Sequence, residues 1–163
     1  MRIIGGVAGG RALKAPKGLA VRPTPDLVRQ AVFNSLGSRV LDAVVLELFA
    51  GTGALSLECL SRGAARATCV EASSRYARVL RGNVESSGLD AARVQVRVQD
   101  AYVALHQLHT AGERFDLVLA DPPYGEKNLN RLLRELQDLL NDYLWPQQKP
   151  LVQNVLIKSL IIQ

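Results

Sequence analysis

Asp121-Pro122-Pro123-Tyr124 puts a carboxylate, two prolines and an aromatic ring in succession. Proline holds φ at about −65° and has no N–H, so such a turn is stiff and its carbonyls stay available as acceptors. These groups suit a planar heterocycle that carries an exocyclic amine. The ring can stack on Tyr124, while Asp121 and the Pro122 carbonyl accept from the NH₂ group. Taken alone, the same residues serve equally well as a proline turn in which Asp121 caps the next element.

A second set of residues lies in Glu47-Leu48-Phe49-Ala50-Gly51-Thr52-Gly53. Gly51 and Gly53 permit a tight turn and a close approach of backbone to a ligand. A dinucleotide fingerprint would need a third glycine where Ser56 stands, and no Gly-Lys-Ser/Thr ending is present to cradle phosphates. The loop therefore suits a nucleoside-type ligand. Glu71 follows the glycines by about 20 residues, the place from which an acid hydrogen-bonds ribose hydroxyls. Asp100, followed by Ala101, can sit beside an adenine edge. Any one of these acids alone reads better as a helix cap or a solvated charge. Three at successive strand ends argue for one ligand site.

Positioning these residues requires alternating strands and helices. Strands are expected over 44–48, 66–71, 93–98 and 115–120, and helices over 54–62, 74–87 and 101–109. Thr24 is placed to cap an earlier helix with Pro25 at its first position, and Val28, Ala31, Val32 and Leu36 are expected to line its inner face. Residues 2–4 and 11–14 can pair as a small hairpin. A leucine-rich helix is expected over 128–141, and 151–162 could add a fifth strand. Repeated βα units imply an α/β fold with a mostly parallel sheet and helices on both faces. Every candidate residue of the α/β part then falls at the carboxyl end of a strand, where open α/β sheets bind ligands.

The glycine loop with Asp121-Pro122-Pro123-Tyr124 resembles the S-adenosylmethionine-dependent amino methyltransferases. Arg2-Ile3-Ile4-Gly5-Gly6, Gly10-Arg11-x-Leu13 and Arg22-Pro23-Thr24-Pro25-Asp26-x-Val28-Arg29-Gln30-x-Val32-Phe33-Asn34 narrow this to the bacterial guanine-N2 methyltransferases of small-subunit (16S) ribosomal RNA. Glu58-Cys59-Leu60-Ser61-Arg62-Gly63-Ala64 is similar to that family's first crossover helix. The N-terminal block is the specific part, since the other two motifs also occur in adenine-N6 and protein-glutamine methyltransferases.

The resemblance implies a Rossmann-like class I methyltransferase fold with a small N-terminal hairpin and helix extension. It implies S-adenosyl-L-methionine as cofactor, held by Glu47, Phe49, Ala50, Gly51, Thr52, Gly53, Glu71, Asp100 and Ala101. Catalysis falls to Asp121, Pro122, Pro123 and Tyr124, and substrate contact or closure to Arg11, Arg22, Thr24 and Arg29. The family's sheet ends in a fifth strand and an antiparallel hairpin. Residues 144–163 do not resemble it, so the C-terminal strands are expected to be incomplete. Adenine-N6 or glutamine methylation, and a non-catalytic protein that binds the cofactor or RNA, stay open as alternatives.

Length and charge agree with one small unit that binds an acidic partner. The 163 residues can bury a core without staples. The chain carries +5 overall, yet residues 1–39 hold seven bases and one acid, a net +6. Such a basic extension suits a phosphate backbone, and a solvated surface is the plainer alternative. The pairs Gly5-Gly6 and Gly9-Gly10 are expected to form a mobile loop that orders on RNA. Arg62, Arg75, Arg78 and Arg81 read as solvated helix faces. The domains are then 1–39, on the substrate side, and 40–163, which binds the cofactor. The expected partner is ribosomal RNA or an assembling small subunit. Cys59 and Cys69 read as core thiols, and His106 and His109 stand apart from any metal-binding cluster. No segment reads as an export signal or membrane span. A cytoplasmic monomer without metal is expected.

Overall fold

The computed structural model describes residues 1–16, 25–122 and 134. Four strands form one parallel sheet: β1 (Val44–Leu48), β2 (Arg66–Glu71), β3 (Val94–Val98) and β4 (Leu117–Ala120), in the order β3-β2-β1-β4. The helices are α1 (Asp26–Leu36), α2 (Ala54–Ser61), α3 (Ser74–Ser87) and α4 (Ala101–Thr110). This is the parallel, doubly wound α/β arrangement that the repeated βα units imply. β4 starts later than the apolar run 115–120 suggests, because Asp116 faces β1 across a loop contact. Its amide donates to the Val44 carbonyl and its carboxylate accepts from the Val44 amide.

Side-chain alternation along β1 assigns the two faces. Val45 joins Leu57 and Leu60 of α2, and Leu80 and Val84 of α3, in the larger core. Leu46 and Leu48 join Ala101, Ala104, Leu105 and Leu108 of α4 in the other. The chain thus winds one way from β1 to β3 and returns through α4 to the far side of β1. In register, Leu48 lies between Val70 and Ala120. The strand order reverses between β1 and β4, which opens a crevice at their carboxyl ends.

The N-terminal segment is part of the larger core. Ile3, Ala8, Leu13, Phe33 and Leu36 pack in the same cluster as β1 and α2. Residues 2 and 12 form an antiparallel bridge, so the expected hairpin is present in narrow form. Gly5 and Gly6 pack closely against α2, whereas Gly10 has open space around it. Gly6 has φ +74°, and a Cβ there would overlap the Ser61 carbonyl. Glu58 accepts from the amides of Ile4 (2.6 Å) and Gly5 (2.8 Å), and Ser61 Oγ from that of Ala8 (2.9 Å).

Helix α1 departs from its expected face. Arg29, Phe33 and Leu36 point inward, whereas Ala31 is exposed and Val28 and Val32 are half-buried. The turn follows from Phe33, which sits under the Arg62 guanidinium at 4.9 Å, and from Arg29, which is bonded into the interior. Arg62 is accordingly not a solvated residue: its Nε also donates to Glu58 Oε1 at 2.8 Å. Arg75, Arg78 and Arg81 are exposed. α1 begins at Asp26 with Pro25 in the capping position. Arg22, Thr24, Pro123, Tyr124 and the stretch 151–162 lie outside the described residues, as does the helix expected over 128–141 apart from residue 134. Cys59 and Cys69 are free and buried, and burial pushes both thiols up.

Candidate functional site

An open cleft of about 120 Å³ lies at the carboxyl ends of β1 and β4. Its wall contains Glu47 from β1, Phe49, Ala50, Gly51 and Thr52 from the glycine loop, Asp121 from the end of β4, and Arg29 from α1. The β1–β4 register brings this about: Leu48 pairs with Ala120, so Phe49 and Asp121 leave the sheet side by side. Asp121 and Pro122 are both half-buried there.

The loop turns sharply through three left-handed residues, Phe49 (φ +57°), Gly51 (φ +55°) and Gly53 (φ +76°). A Cβ on Gly53 would strike Leu80, so that glycine lets the loop seat on α3. A Cβ on Gly51 would meet only the Phe49 carbonyl, at 3.9 Å, which leaves its outer face accessible. Phe49 is the unexpected member of the three. A bulky residue in this region costs about 1–3 kcal/mol and is held there by its surroundings. The Ala50 amide, bonded to the Val70 carbonyl at 2.9 Å, supplies part of that hold.

The electrostatics of the cleft are mixed. Glu47 is 3% exposed and accepts from the Ser56 amide at 3.0 Å. Burial pushes its carboxyl up to about 7 against that bond, and the nearby Asp121 charge adds to the rise. Arg29 is 0% exposed. Its Nη2 donates to the Arg2 carbonyl at 2.6 Å and to Asp26 Oδ1 at 2.7 Å. The hydrogen bond from Arg29 holds the Asp26 carboxyl below its ordinary value.

The other expected site residues lie around the cleft or away from it. Glu71 braces the loop from behind, accepting from the amides of Gly51 (2.7 Å) and Ser73 (2.8 Å). Asp100 caps α4, accepting from the amides of Tyr102 and Val103. Ala101 is buried beneath the same helix in the second core. None of these three belongs to the described cleft wall. Arg11 is exposed and its guanidinium lies over Gly88, at the C-terminal end of α3. That is the end of the sheet opposite the cleft.

Sequence reasoning missed Met1, Ala15, Pro16, Ala54, Leu55 and Tyr76, which complete the described wall. Tyr76 had a signal, since it stands in the first turn of the helix after the Glu71 strand. Met1, Ala15 and Pro16 had none, because only the docked hairpin carries them there. Asn83 secures that docking. It exchanges two hydrogen bonds with the Lys14 backbone and donates to the Thr52 carbonyl at 3.0 Å.

The family model described as "Conserved hypothetical protein 95" matches residues 1–152. Ribosomal RNA small subunit methyltransferase D of Escherichia coli is 38% identical over 152 residues, which span 93% of this chain and 72% of that protein. Among solved structures, a hypothetical protein of Thermus thermophilus superposes with a TM-score of 0.76 at 36% identity, over 85% of this chain and 78% of its own. A methyltransferase structure in complex with SAH superposes at 0.59 with 26% identity, over 68% of this chain and 32% of that one.

Proposed function

The chain belongs to this family of S-adenosylmethionine-dependent rRNA methyltransferases, and we propose that it methylates the exocyclic N2 of a guanine in 16S ribosomal RNA. The observation that carries the reading is the meeting of Asp121 and the glycine loop in one cleft. The residues present fit the cofactor: the outer face of Gly51 is open to a close approach, and Glu47, Asp121 and Arg29 offer both signs of charge. When bound, S-adenosylmethionine supplies an electrophilic sulfonium methyl group.

The chain's own residues would then solve a nucleophile problem. The guanine amine is weak because its lone pair is delocalised into the ring. Asp121 and the Pro122 carbonyl accept its hydrogens and favour a more tetrahedral nitrogen. Tyr124 stacks on the base and fixes its plane. So held, the amine would take the methyl group as the bond to sulfur breaks, with the electron pair left on sulfur. The proton left on the amine passes to Asp121 or to water. Holding the two reactants in line contributes several kcal/mol of barrier reduction, roughly 7–11 in the best-oriented cases. Glu71 holds the ribose hydroxyls. Arg11, Lys14 and Arg22, with the Thr24 hydroxyl beside them, meet the RNA backbone.

Single-turnover transfer of a labelled methyl group to 16S rRNA, DNA and protein tests the reading. N2-methylguanosine in the rRNA is the expected product, and Asp121→Ala should slow its formation by about 10²–10³-fold, the scale for loss of one positioned electrostatic group. Cofactor affinity should change little. Label in DNA or protein alone, or a wild-type rate in Asp121→Ala, would sink it.

A further inference from the structure

Arg29 is the most fully buried cation in the described cleft wall, and it is only half used. Nη2 is bonded to Arg2 and Asp26, but Nε and Nη1 are buried without a hydrogen-bond partner among the described residues. Buried donors of a charged group are rarely left so, because each forfeits its bond to water and gains nothing in return. At 0% exposure the side chain cannot reach out to a phosphate backbone. It can meet only an anionic group that enters the cleft.

The charge pattern narrows the identity of that group. The described wall holds two carboxylates, Glu47 and Asp121, and one guanidinium, Arg29. The amino-acid end of S-adenosylmethionine holds the inverse set: a sulfonium, an ammonium and one carboxylate. A buried arginine is well suited to a carboxylate because its donors are rigid and weakly hydrated. Arg29 is also tied to the N-terminal hairpin. Asp26, one turn earlier on α1, holds Nη2 in place, and the Arg2 carbonyl links it to the hairpin that carries Met1 into the wall.

We propose that Arg29 is the anion subsite of the cleft and receives the carboxylate of the cofactor's amino-acid end through its unpartnered N–H groups. This rests on the methyltransferase reading and goes beyond it by assigning Arg29 to the cofactor and not to the RNA. It also gives the basic N-terminal segment a second role, since one of its seven bases serves the interior. Docking of the hairpin and binding of the cofactor then share a residue.

Calorimetric titration with S-adenosylmethionine and with its decarboxylated analogue tests the assignment. The wild type should prefer the carboxylate form by about tenfold or more, the scale of a hydrogen bond to a charged group. Arg29→Gln should abolish that preference by weakening the carboxylate form alone, and Arg29→Lys should retain part of it. If Arg29→Gln does not fold by circular dichroism, the same comparison on Arg29→Lys decides. A wild type that binds both ligands equally overturns the subsite, as does an Arg29→Gln protein that keeps the full preference. Loss of affinity confined to an rRNA fragment would give the subsite to a nucleotide phosphate and overturn the proposal too. A wild type that binds neither ligand would overturn the methyltransferase reading and the subsite with it.

Discussion

Two glutamates are buried around helix α2, Glu47 at its N-terminal end and Glu58 in its C-terminal half, at 3% and 0% exposure. Their surroundings set them apart. Glu58 accepts from two hairpin amides and from Arg62, so its charge is matched and its oxygens are occupied. Glu47 accepts from the Ser56 amide and has no cation beside it among the described residues; it lines a cleft shared with Asp121. Burial of an acid is therefore not in itself a mark of function. A carboxylate paired with a cation is a structural joint, whereas one on a cleft wall beside a second acid is available to a ligand.

Breaking the joint should have the larger effect. Glu58→Ala leaves two hairpin amides and the half-buried Arg62 without their acceptor. Stability should fall by about 3–5 kcal/mol, the usual cost of removing one partner of a buried pair. A urea midpoint close to wild type would show that the hairpin is held by apolar contacts alone.

Glu47 should reveal itself through pH. Its folded-state pKa is raised from 4.5 to about 7, so the folded protein holds a proton that the unfolded chain releases. The sign follows from linkage. The contribution is fully present below about pH 4.5 and is lost as pH rises through about 7, a change of about 3 kcal/mol. Glu47→Gln keeps an acceptor for the Ser56 amide and should remove that component. Denaturation midpoints of the two proteins at several pH values are the measurement, and parallel curves would refute the shift.

Glu71 stands between the two cases, since it is occupied by backbone and close to the cleft. Glu71→Ala should weaken cofactor binding by about 1.5–3 kcal/mol, through loss of the ribose bonds proposed for it and of its brace on Gly51. Unchanged affinity in a well-folded variant would reduce it to a loop brace. Asp100 should show the smallest effect. As a helix cap its replacement by alanine costs about 1 kcal/mol of stability, and a large loss of cofactor affinity instead would restore the adenine role expected of it.

Much of the molecule was legible in its residues. The strands 44–48 and 66–71 and the helix 74–87 stand where the apolar periodicity and the glycines set them. These are local properties, written in neighbouring residues. Gly51, Thr52 and Asp121, which line the cleft, stood out as candidates for the same reason, because a glycine turn or an acid before prolines carries its chemistry within a few positions. The inner face of α1 was not legible, because it depends on partners far away in the chain. Nothing near Arg29 announces the Arg2 carbonyl, and nothing near Phe33 announces Arg62.

What the sequence determined by itself was the alternation of elements, the family, the cofactor class and the residues of the glycine loop and of β4. The tertiary structure decided which of the acids face the cleft and which serve as joints. Glu47, Glu58, Glu71 and Asp100 all have the same chemistry in one dimension. They differ only in which backbone amides the packing brings to them, and in whether burial leaves part of a carboxylate facing open space. Arg29 shows the same from the other side. Its position among seven N-terminal bases suggested an outward RNA contact, and only the docking of the hairpin onto α2 and α3 turned it inward, where the exclusion of water makes an unpartnered N–H costly.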